Sequence, residues 1–143
     1  TLTKVSAPSS AVLTEGLSCN LSNAPDIAQT IAVSCFGLGL ACNLTGLHTL
    51  KIKETDRLLA LEHELSALGA SISVTEKSLH LKRFLGHINT GVTIATYHDH
   101  RMAMAFAPLA LKTSLKIADA AVVNKSYPDF WEDMKALGMN VGL

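Results

Sequence analysis

Hydrophobic and polar positions predict two helices of different character in the first half of the chain. Residues 26–38 are almost wholly apolar or small, which is typical of a helix buried on all sides, and Pro25 stands where proline often begins a helix. Residues 54–68 carry apolar residues on a single stripe before Gly69, which predicts an amphipathic helix that ends there. That stripe consists of Leu58, Leu61, Leu65 and Leu68.

Short strands are expected around these helices. Residues 11–14 and 43–53 are interpreted as strands that precede the apolar and the amphipathic helix, respectively. Residues 71–76 and 78–82 alternate apolar and polar positions around a short turn, which predicts a β-hairpin.

The same order of elements recurs in the second half of the chain. It predicts a strand, an almost wholly apolar helix, a strand, an amphipathic helix and the start of another strand, at residues 92–96, 99–111, 114–117, 128–137 and 140–143. Pro108 lies inside the second apolar helix and lacks a backbone donor, so we expect a kink or an early end there. Both amphipathic helices end on the sequence Ala-Leu-Gly, at residues 67–69 and 136–138.

This recurrence predicts two copies of one repeat unit, at residues 10–85 and 90–143. Each unit is expected to contain a strand, a buried helix, a strand, an amphipathic helix and a strand pair, which is a βαβαββ-type arrangement. The predicted fold class is therefore α/β, of the α+β kind. The second copy reaches only its first return strand, so residues 1–143 are interpreted as part of one domain.

Composition narrows the possible functions. The 143 residues carry 12 Lys and Arg against 12 Asp and Glu, and 48% of them are hydrophobic. These values exclude a disordered chain and argue against nucleic acid or an anionic membrane as the main partner. The longest apolar run, residues 31–44, is too short and too interrupted for a membrane span.

The cysteines and the start of the chain indicate a compartment. Three cysteines form no CxxC pair, and no basic-then-apolar segment opens the chain, so we expect no signal peptide and a location in the reducing cytoplasm. The first residue is Thr1 rather than Met, and we expect the chain to be a piece of something longer.

Cationic residues cluster at three places, each expected at a junction between a strand and a helix. The clusters lie at residues 51–57, 97–102 and 124–128. A cation at a helix start is disfavoured by about 0.3–1 kcal/mol, whereas the free N–H groups there favour a phosphate or carboxylate. Three such clusters predict a shared anionic ligand. Alternatively, neighbouring acids neutralise the cations in surface pairs of little energetic weight, namely Glu54, Asp56, Asp99 and Asp129.

Three further groups each have two interpretations. His98 and His100 flank Asp99 as metal ligands could, but no third ligand has a fitting spacing, so a structural or anion-binding role is favoured. Asp26 is either an ordinary first-turn acid or a general base. Cys35 lies in the predicted buried helix, where a packing role is favoured over that of a nucleophile.

Four segments together resemble the 5-enolpyruvylshikimate-3-phosphate synthase family. They are APDIAQTIA at 24–32, KETDR at 53–57, ATYHDHRMAMAF at 95–106 and KSYPDF at 125–130. The segments are in the family's order and cover essentially the whole chain. The resemblance implies that the chain corresponds to the C-terminal third of the enzyme, a partial domain of the enolpyruvyl transferase fold.

The resemblance also implies a reaction and a role for each matching residue. The enolpyruvyl group of phosphoenolpyruvate passes to the 5-hydroxyl of shikimate 3-phosphate through a tetrahedral intermediate, and phosphate leaves, with no metal or organic cofactor. By the family's pattern, Asp26 holds the shikimate ring hydroxyls and accepts a proton, while Glu54 transfers a proton at the enolpyruvyl carbon. Lys53 is expected to contact shikimate 3-phosphate. Phosphoenolpyruvate is expected to contact Arg57, Arg101 and Lys125, with His100 beside them.

The sequence departs from the family's pattern in two respects. Thr49 stands where many members carry Asn. The family's N-terminal Lys-Ser…Arg and Gly-Asn-Ala-Gly-Thr segments are missing, so the chain is expected to be inactive without the N-terminal part of its own chain. A monomer is expected for the full-length enzyme. The alternatives are a UDP-N-acetylglucosamine enolpyruvyl transferase, which fits residues 100–105 less well, and a non-catalytic α/β repeat module.

Overall fold

The structure is a computed structural model that describes residues 16–52 and 56–142. The strands are β1 (Leu17–Asn20), β2 (Cys42–Thr45), β3 (Ile72–Val74), β4 (Ser78–Leu81), β5 (Val92–Ile94) and β6 (Leu115–Ile117). The α-helices are α1 (Ala28–Leu38), α2 (Arg57–Ala67), α3 (His100–Phe106) and α4 (Phe130–Ala136). Short 3₁₀ helices lie at Pro25–Ile27, His48–Ile52, Ala107–Leu111 and Ala120–Lys125. This mixed order of strands and helices confirms the predicted α/β class.

The strands form two sheets. The first has the order β1-β2-β4-β3, in which β1 and β2 are parallel and the β3–β4 hairpin pairs antiparallel to β2. The second sheet is the parallel pair of β5 and β6. The predicted hairpin at residues 71–82 is confirmed, since Ile72 pairs with Leu81 and Val74 with Leu79.

Two strand predictions are wrong, and a third cannot be compared. The expected strand at 43–53 ends at Thr45, because Gly46 takes a left-handed φ of 76° and a 3₁₀ helix follows over His48–Ile52. Residues 140–142 have no strand pairing. The strand expected at 11–14 lies outside the described residues.

The prediction that the two apolar helices are buried on all sides is wrong. α1 presents Ala28, Ala32 and Phe36 to the core, but Leu38 at its end is 68% exposed. α3 ends at Phe106, and Pro108 lies in the 3₁₀ helix that follows, which confirms the expected early end. None of the helices described is long and apolar enough to cross a membrane.

The core is continuous through α3. Met102 and Phe106 of this helix pack in the large cluster that also contains α1, α2 and the first sheet. Ala103, on the other side of α3, and Ala107, just after its end, pack with Val123 and Phe130. α3 therefore lies between the two groups of buried side chains, and it packs against α1.

Candidate functional site

A buried arginine stands at the centre of the site. Arg57 is the first residue of α2, and its side chain is 0% exposed. Its Nε donates to Asp99 Oδ2 at 2.7 Å, and its Nη2 lies 2.6 Å from the same oxygen. Its Nη1 donates to Asp26 Oδ1 at 2.9 Å. One guanidinium group thus joins two carboxylates that are 73 positions apart in sequence, since 31 and 42 positions separate Arg57 from them.

Local sequence explains why Arg57 points inward. Asp56 caps α2 by accepting a hydrogen bond from the backbone N–H of Leu59 at 3.2 Å, so the helix begins at Arg57. Leu58, Leu61 and Leu65 continue the buried side of the helix. Arg57 therefore starts the core-facing stripe, where a charged group needs a partner of opposite charge.

Asp99 supplies that partner from the turn between β5 and α3. It is 1% exposed and caps α3, because its Oδ1 accepts from the backbone N–H of Arg101 at 2.9 Å. Tyr97 and His98, just before it, have left-handed φ values of 54° and 58°. Residues other than glycine rarely adopt this conformation, so the turn is strained. Asp99 had been one of the acids considered for surface pairs, and that interpretation is wrong for this residue.

Asp26 lies where the cluster reaches the surface. It stands in the 3₁₀ helix Pro25–Ile27, and its side chain is 37% exposed. While its Oδ1 contacts Arg57, its Oδ2 lies 3.6 Å from Nη2 of Arg101, which is 36% exposed. The Asp26 carboxylate is therefore flanked by two guanidinium groups, one buried and one open to solvent.

Among the residues that the structure describes, two buried side-chain oxygens have no hydrogen-bond partner. Gln29 donates from Nε2 to the backbone oxygen of Asp26, but its Oε1 has no hydrogen-bond partner within the described part of the chain. The same holds for Oγ1 of Thr49, whose 3₁₀ helix contacts Pro25–Ile27. Buried polar groups normally find a partner, so a water or ligand atom would be accommodated at each. Gln29 was not among the predicted site residues, because it lies within an apolar segment.

A second buried carboxylate holds the strained turn. Tyr97 donates its hydroxyl to Glu64 Oε1 at 2.7 Å, and Glu64 is 2% exposed. Burial, followed by this hydrogen bond and the negative charge of Glu64, raises the pKa of Tyr97 to about 12. Neither residue was identified from the sequence, because the contact depends on a packing of α2 against the turn that periodicity does not show.

The predicted site residues have different places in the structure. Asp26, Arg57 and Arg101 come together, and His100 is half-buried at the first position of α3. Lys125 is exposed at the end of the 3₁₀ helix Ala120–Lys125, whose residues contact α3. Lys53 and Glu54 lie outside the described residues. Direct contact of a ligand with Arg57 would require one of its carboxylate partners to move.

The three cationic clusters lie at junctions between a strand and an α-helix, as expected, at the starts of α2, α3 and α4. At two of these junctions, a 3₁₀ helix that was not predicted stands between the strand and the α-helix: His48–Ile52 before α2 and Ala120–Lys125 before α4. Lys51 and Lys125 lie in the last turns of these 3₁₀ helices, where a cation is not disfavoured. Lys51 forms an exposed ion pair at 2.8 Å with Glu76, an acid that the surface-pair interpretation did not name. Within residues 16–52 and 56–142, no three His, Cys, Asp or Glu side chains are grouped so that they could hold a metal ion.

Comparison with known proteins relates this arrangement to a family. A family model described as EPSP synthase (3-phosphoshikimate 1-carboxyvinyltransferase) matches residues 3–134. The 3-phosphoshikimate 1-carboxyvinyltransferase of Bacteroides fragilis is 42% identical over 121 residues, which make up 82% of this chain and 29% of that protein. The protein of the same name from Methanobrevibacter smithii is 34% identical over 90% of this chain and 28% of its own length.

A solved structure has the same fold over most of the chain. EPSP synthase from Acinetobacter baumannii superimposes with a TM-score of 0.73 at 27% identity, over 82% of this chain and 28% of that one. The chain thus spans less than a third of the length of the relatives that it matches. Residues 26, 57, 99 and 101, which form the site described above, all lie within the matched range, and the chain belongs to the EPSP synthase family.

Proposed function

We propose that this chain supplies part of the active site for transfer of the enolpyruvyl group of phosphoenolpyruvate to the 5-hydroxyl of shikimate 3-phosphate, with release of phosphate. The observation that carries the proposal is the Asp26 carboxylate at the surface, flanked by Arg57 and Arg101. A carboxylate can hold ring hydroxyls and accept a proton from one of them, and a guanidinium group can bind a carboxylate or phosphate through two hydrogen bonds.

Each residue has a proposed part in this reaction. Asp26 binds the shikimate ring hydroxyls and accepts the proton of the 5-hydroxyl. Arg101 and His100, at the start of α3, meet the anionic groups of phosphoenolpyruvate, and Arg57 acts from behind Asp26. Lys53, Glu54 and Lys125 keep the roles that the family's pattern implies, as phosphate contact, proton donor and phosphoenolpyruvate contact.

The proposed reaction requires protein segments beyond this chain. The two substrates carry several negative charges, and the chain represents only 28–29% of the length of its relatives. Segments that the relatives carry outside the matched range are therefore expected to complete the site. With those segments, the activity belongs to the shikimate pathway and aromatic amino-acid biosynthesis. A location in the cytoplasm is proposed because Cys19, Cys35 and Cys42 are all free thiols.

Phosphate release tests the proposal. The chain by itself, given phosphoenolpyruvate and shikimate 3-phosphate, is expected to release no phosphate. A chimaera in which the chain replaces the matching segment of the Bacteroides fragilis relative is expected to release phosphate with shikimate 3-phosphate and not with UDP-N-acetylglucosamine. A chimaera that folds but releases phosphate with neither acceptor would contradict the proposal and favour a non-catalytic module.

A pair of arginine substitutions assigns the activity to the site. Arg101→Gln in the chimaera removes one guanidinium group beside Asp26 and is expected to lower kcat/KM by on the order of 10²-fold, as loss of a preorganised charge in an active site does. Arg83→Gln is the matched control, since Arg83 is exposed in the loop after β4. Equal kcat/KM values for the two variants would exclude Arg101 from the site.

A further inference from the structure

We propose that Asp99 is a positioning residue: it fixes the guanidinium group of Arg57 and, through it, the carboxylate of Asp26. The proposal rests on the function proposed above, because Asp26 is the group that meets the substrate there. Asp99 itself is 1% exposed, so it acts on the substrate through the groups that it contacts.

Both carboxylate oxygens of Asp99 are used in contacts around the site. Its Oδ2 accepts from Nε and lies 2.6 Å from Nη2 of Arg57, and its Oδ1 accepts from the backbone N–H of Arg101. A carboxylate that binds two nitrogens of a planar guanidinium group fixes the plane of that group. The direction of the third nitrogen, Nη1, is then fixed as well, and this nitrogen lies 2.9 Å from Asp26.

The strained turn that carries Asp99 also holds this residue in place. Tyr97 and His98 both have positive φ values, which the surrounding structure must enforce. Tyr97 is held by its hydrogen bond to Glu64, and Glu64 lies on α2, the helix that also carries Arg57. The turn is thus attached to α2 at Glu64 and at Arg57, two turns of helix apart. This double attachment fixes Asp99 relative to Arg57.

The substitution Asp99→Asn separates positioning from helix capping. Asparagine caps a helix about as well as aspartate, so the start of α3 is retained, while the charged contact with Arg57 is lost. Asp56→Asn is the matched control, because Asp56 caps α2 in the same way and its side-chain contact is with the backbone of Leu59.

Kinetics of the chimaera give the first measurement. Asp99→Asn is expected to lower kcat by on the order of 10²-fold, the usual effect of a misplaced catalytic group, and Asp56→Asn by less than about twofold. In a chimaera that already carries Asp26→Asn, Asp99→Asn is expected to cause little further loss, because its effect passes through Asp26. Full additivity of the two substitutions, or an unchanged kcat in Asp99→Asn, would overturn the proposal.

Nuclear magnetic resonance of the chain gives a second measurement that requires no activity. The sequence contains three arginines, Arg57, Arg83 and Arg101, and Arg57 alone among them is fully buried. Its Nε–H signal is expected to exchange slowly with water in the wild-type chain, and rapidly in Asp99→Asn. A slowly exchanging signal in Asp99→Asn would contradict the proposal, whether or not the chimaera is active.

A further variant covers the case in which Asp99→Asn does not fold. Tyr97→Phe removes the hydrogen bond to Glu64 and leaves Asp99 and Arg57 unchanged. It is expected to speed exchange at Arg57 Nε–H and to lower kcat by several-fold. In a chimaera that already carries Asp26→Asn, it should cause little further loss of kcat. A wild-type rate of exchange in Tyr97→Phe would count against the proposal. If the chimaera without substitutions released no phosphate, only the proposed function would be refuted, and the exchange measurements would still test the positioning role of Asp99.

Discussion

Tyr97 is partly buried and its hydroxyl faces a buried carboxylate, and these two features make the fold sensitive to alkaline pH. The folded state raises the pKa of Tyr97 from 10.0 to about 12, so it favours the neutral phenol. The resulting stabilisation is fully present below pH 10 and is lost as the pH rises through about 12. The positions of Asp99 and Arg57 should therefore loosen in the same pH range.

Tyrosine absorbance can measure this shift directly. The chain has two tyrosines, so in Tyr127→Phe the ultraviolet titration reports Tyr97 alone. We expect a midpoint of about 12, read within milliseconds of a pH jump. Adding Glu64→Gln should lower the midpoint without restoring 10.0, because burial is the largest cause of the shift and remains. A midpoint near 10.0 in Tyr127→Phe would contradict the described contact.

The sequence predicted which residue types meet at the candidate site, but not the contacts that they make. The segments around Asp26, Arg57 and Arg101 predicted a carboxylate and cations at one site, and these three side chains do come together. That Arg57 is buried between two carboxylates could not be predicted, because its partners lie 31 and 42 positions away. Asp99 appeared in the sequence as an ordinary acid beside a helix start.

At the scale of elements, the turn after β2 explains where the strand ends. Gly46 has a φ of 76°, and a Cβ added there would lie 2.6 Å from the backbone nitrogen of Ser22. The apolar pattern of residues 43–53 predicted a strand through this point, since a pattern of side chains does not show how closely another segment approaches the backbone. The hairpin was predicted correctly because alternation and a short turn are both local.

Substitutions at two glycines with similar φ values distinguish the cost of a left-handed backbone from the cost of a steric clash. Gly91 has a φ of 73°, but an added Cβ would meet no atom within 4 Å. Gly91→Ala should cost about 1–2 kcal/mol for the left-handed conformation. Gly46→Ala should cost about 1–3 kcal/mol more, because the new methyl group collides with Ser22 and Asn20. Urea unfolding of both variants measures the difference, and equal losses would show that the Gly46 turn is not crowded.

At the scale of the whole molecule, α3 connects the two groups of buried side chains. Phe106 belongs to the large cluster, while Ala103 of the same helix belongs to the cluster that contains Phe130. The sequence predicted both apolar helices but not this division of contacts, which depends on how α3 is rotated. The predicted repeat units at 10–85 and 90–143 stay a prediction.

The connection through α3 predicts a single cooperative unfolding transition. Trp131, the one tryptophan of the chain, contacts Phe130 in the smaller cluster. Phe106→Ala should destabilise the chain by about 3–5 kcal/mol. Because the clusters share α3, Trp131 fluorescence and far-ultraviolet circular dichroism should report this loss at the same urea concentration.

The control for this experiment is Leu111→Ala, at a residue that is 73% exposed. It should change the free energy of unfolding by no more than about 0.5 kcal/mol. If Phe106→Ala shifted the circular dichroism transition and left the fluorescence transition in place, the two clusters would unfold independently.

The Asp26–Arg57–Asp99 cluster also has a consequence for the order of folding. Its ion pairs close loops of 31 and 42 residues, whereas α2 and the β3–β4 hairpin need only local contacts. Long loops close late, after local elements have formed. Asp99→Asn should therefore leave the folding rate nearly unchanged and accelerate unfolding. The candidate site is then the last part of the chain to assemble and the first to come apart.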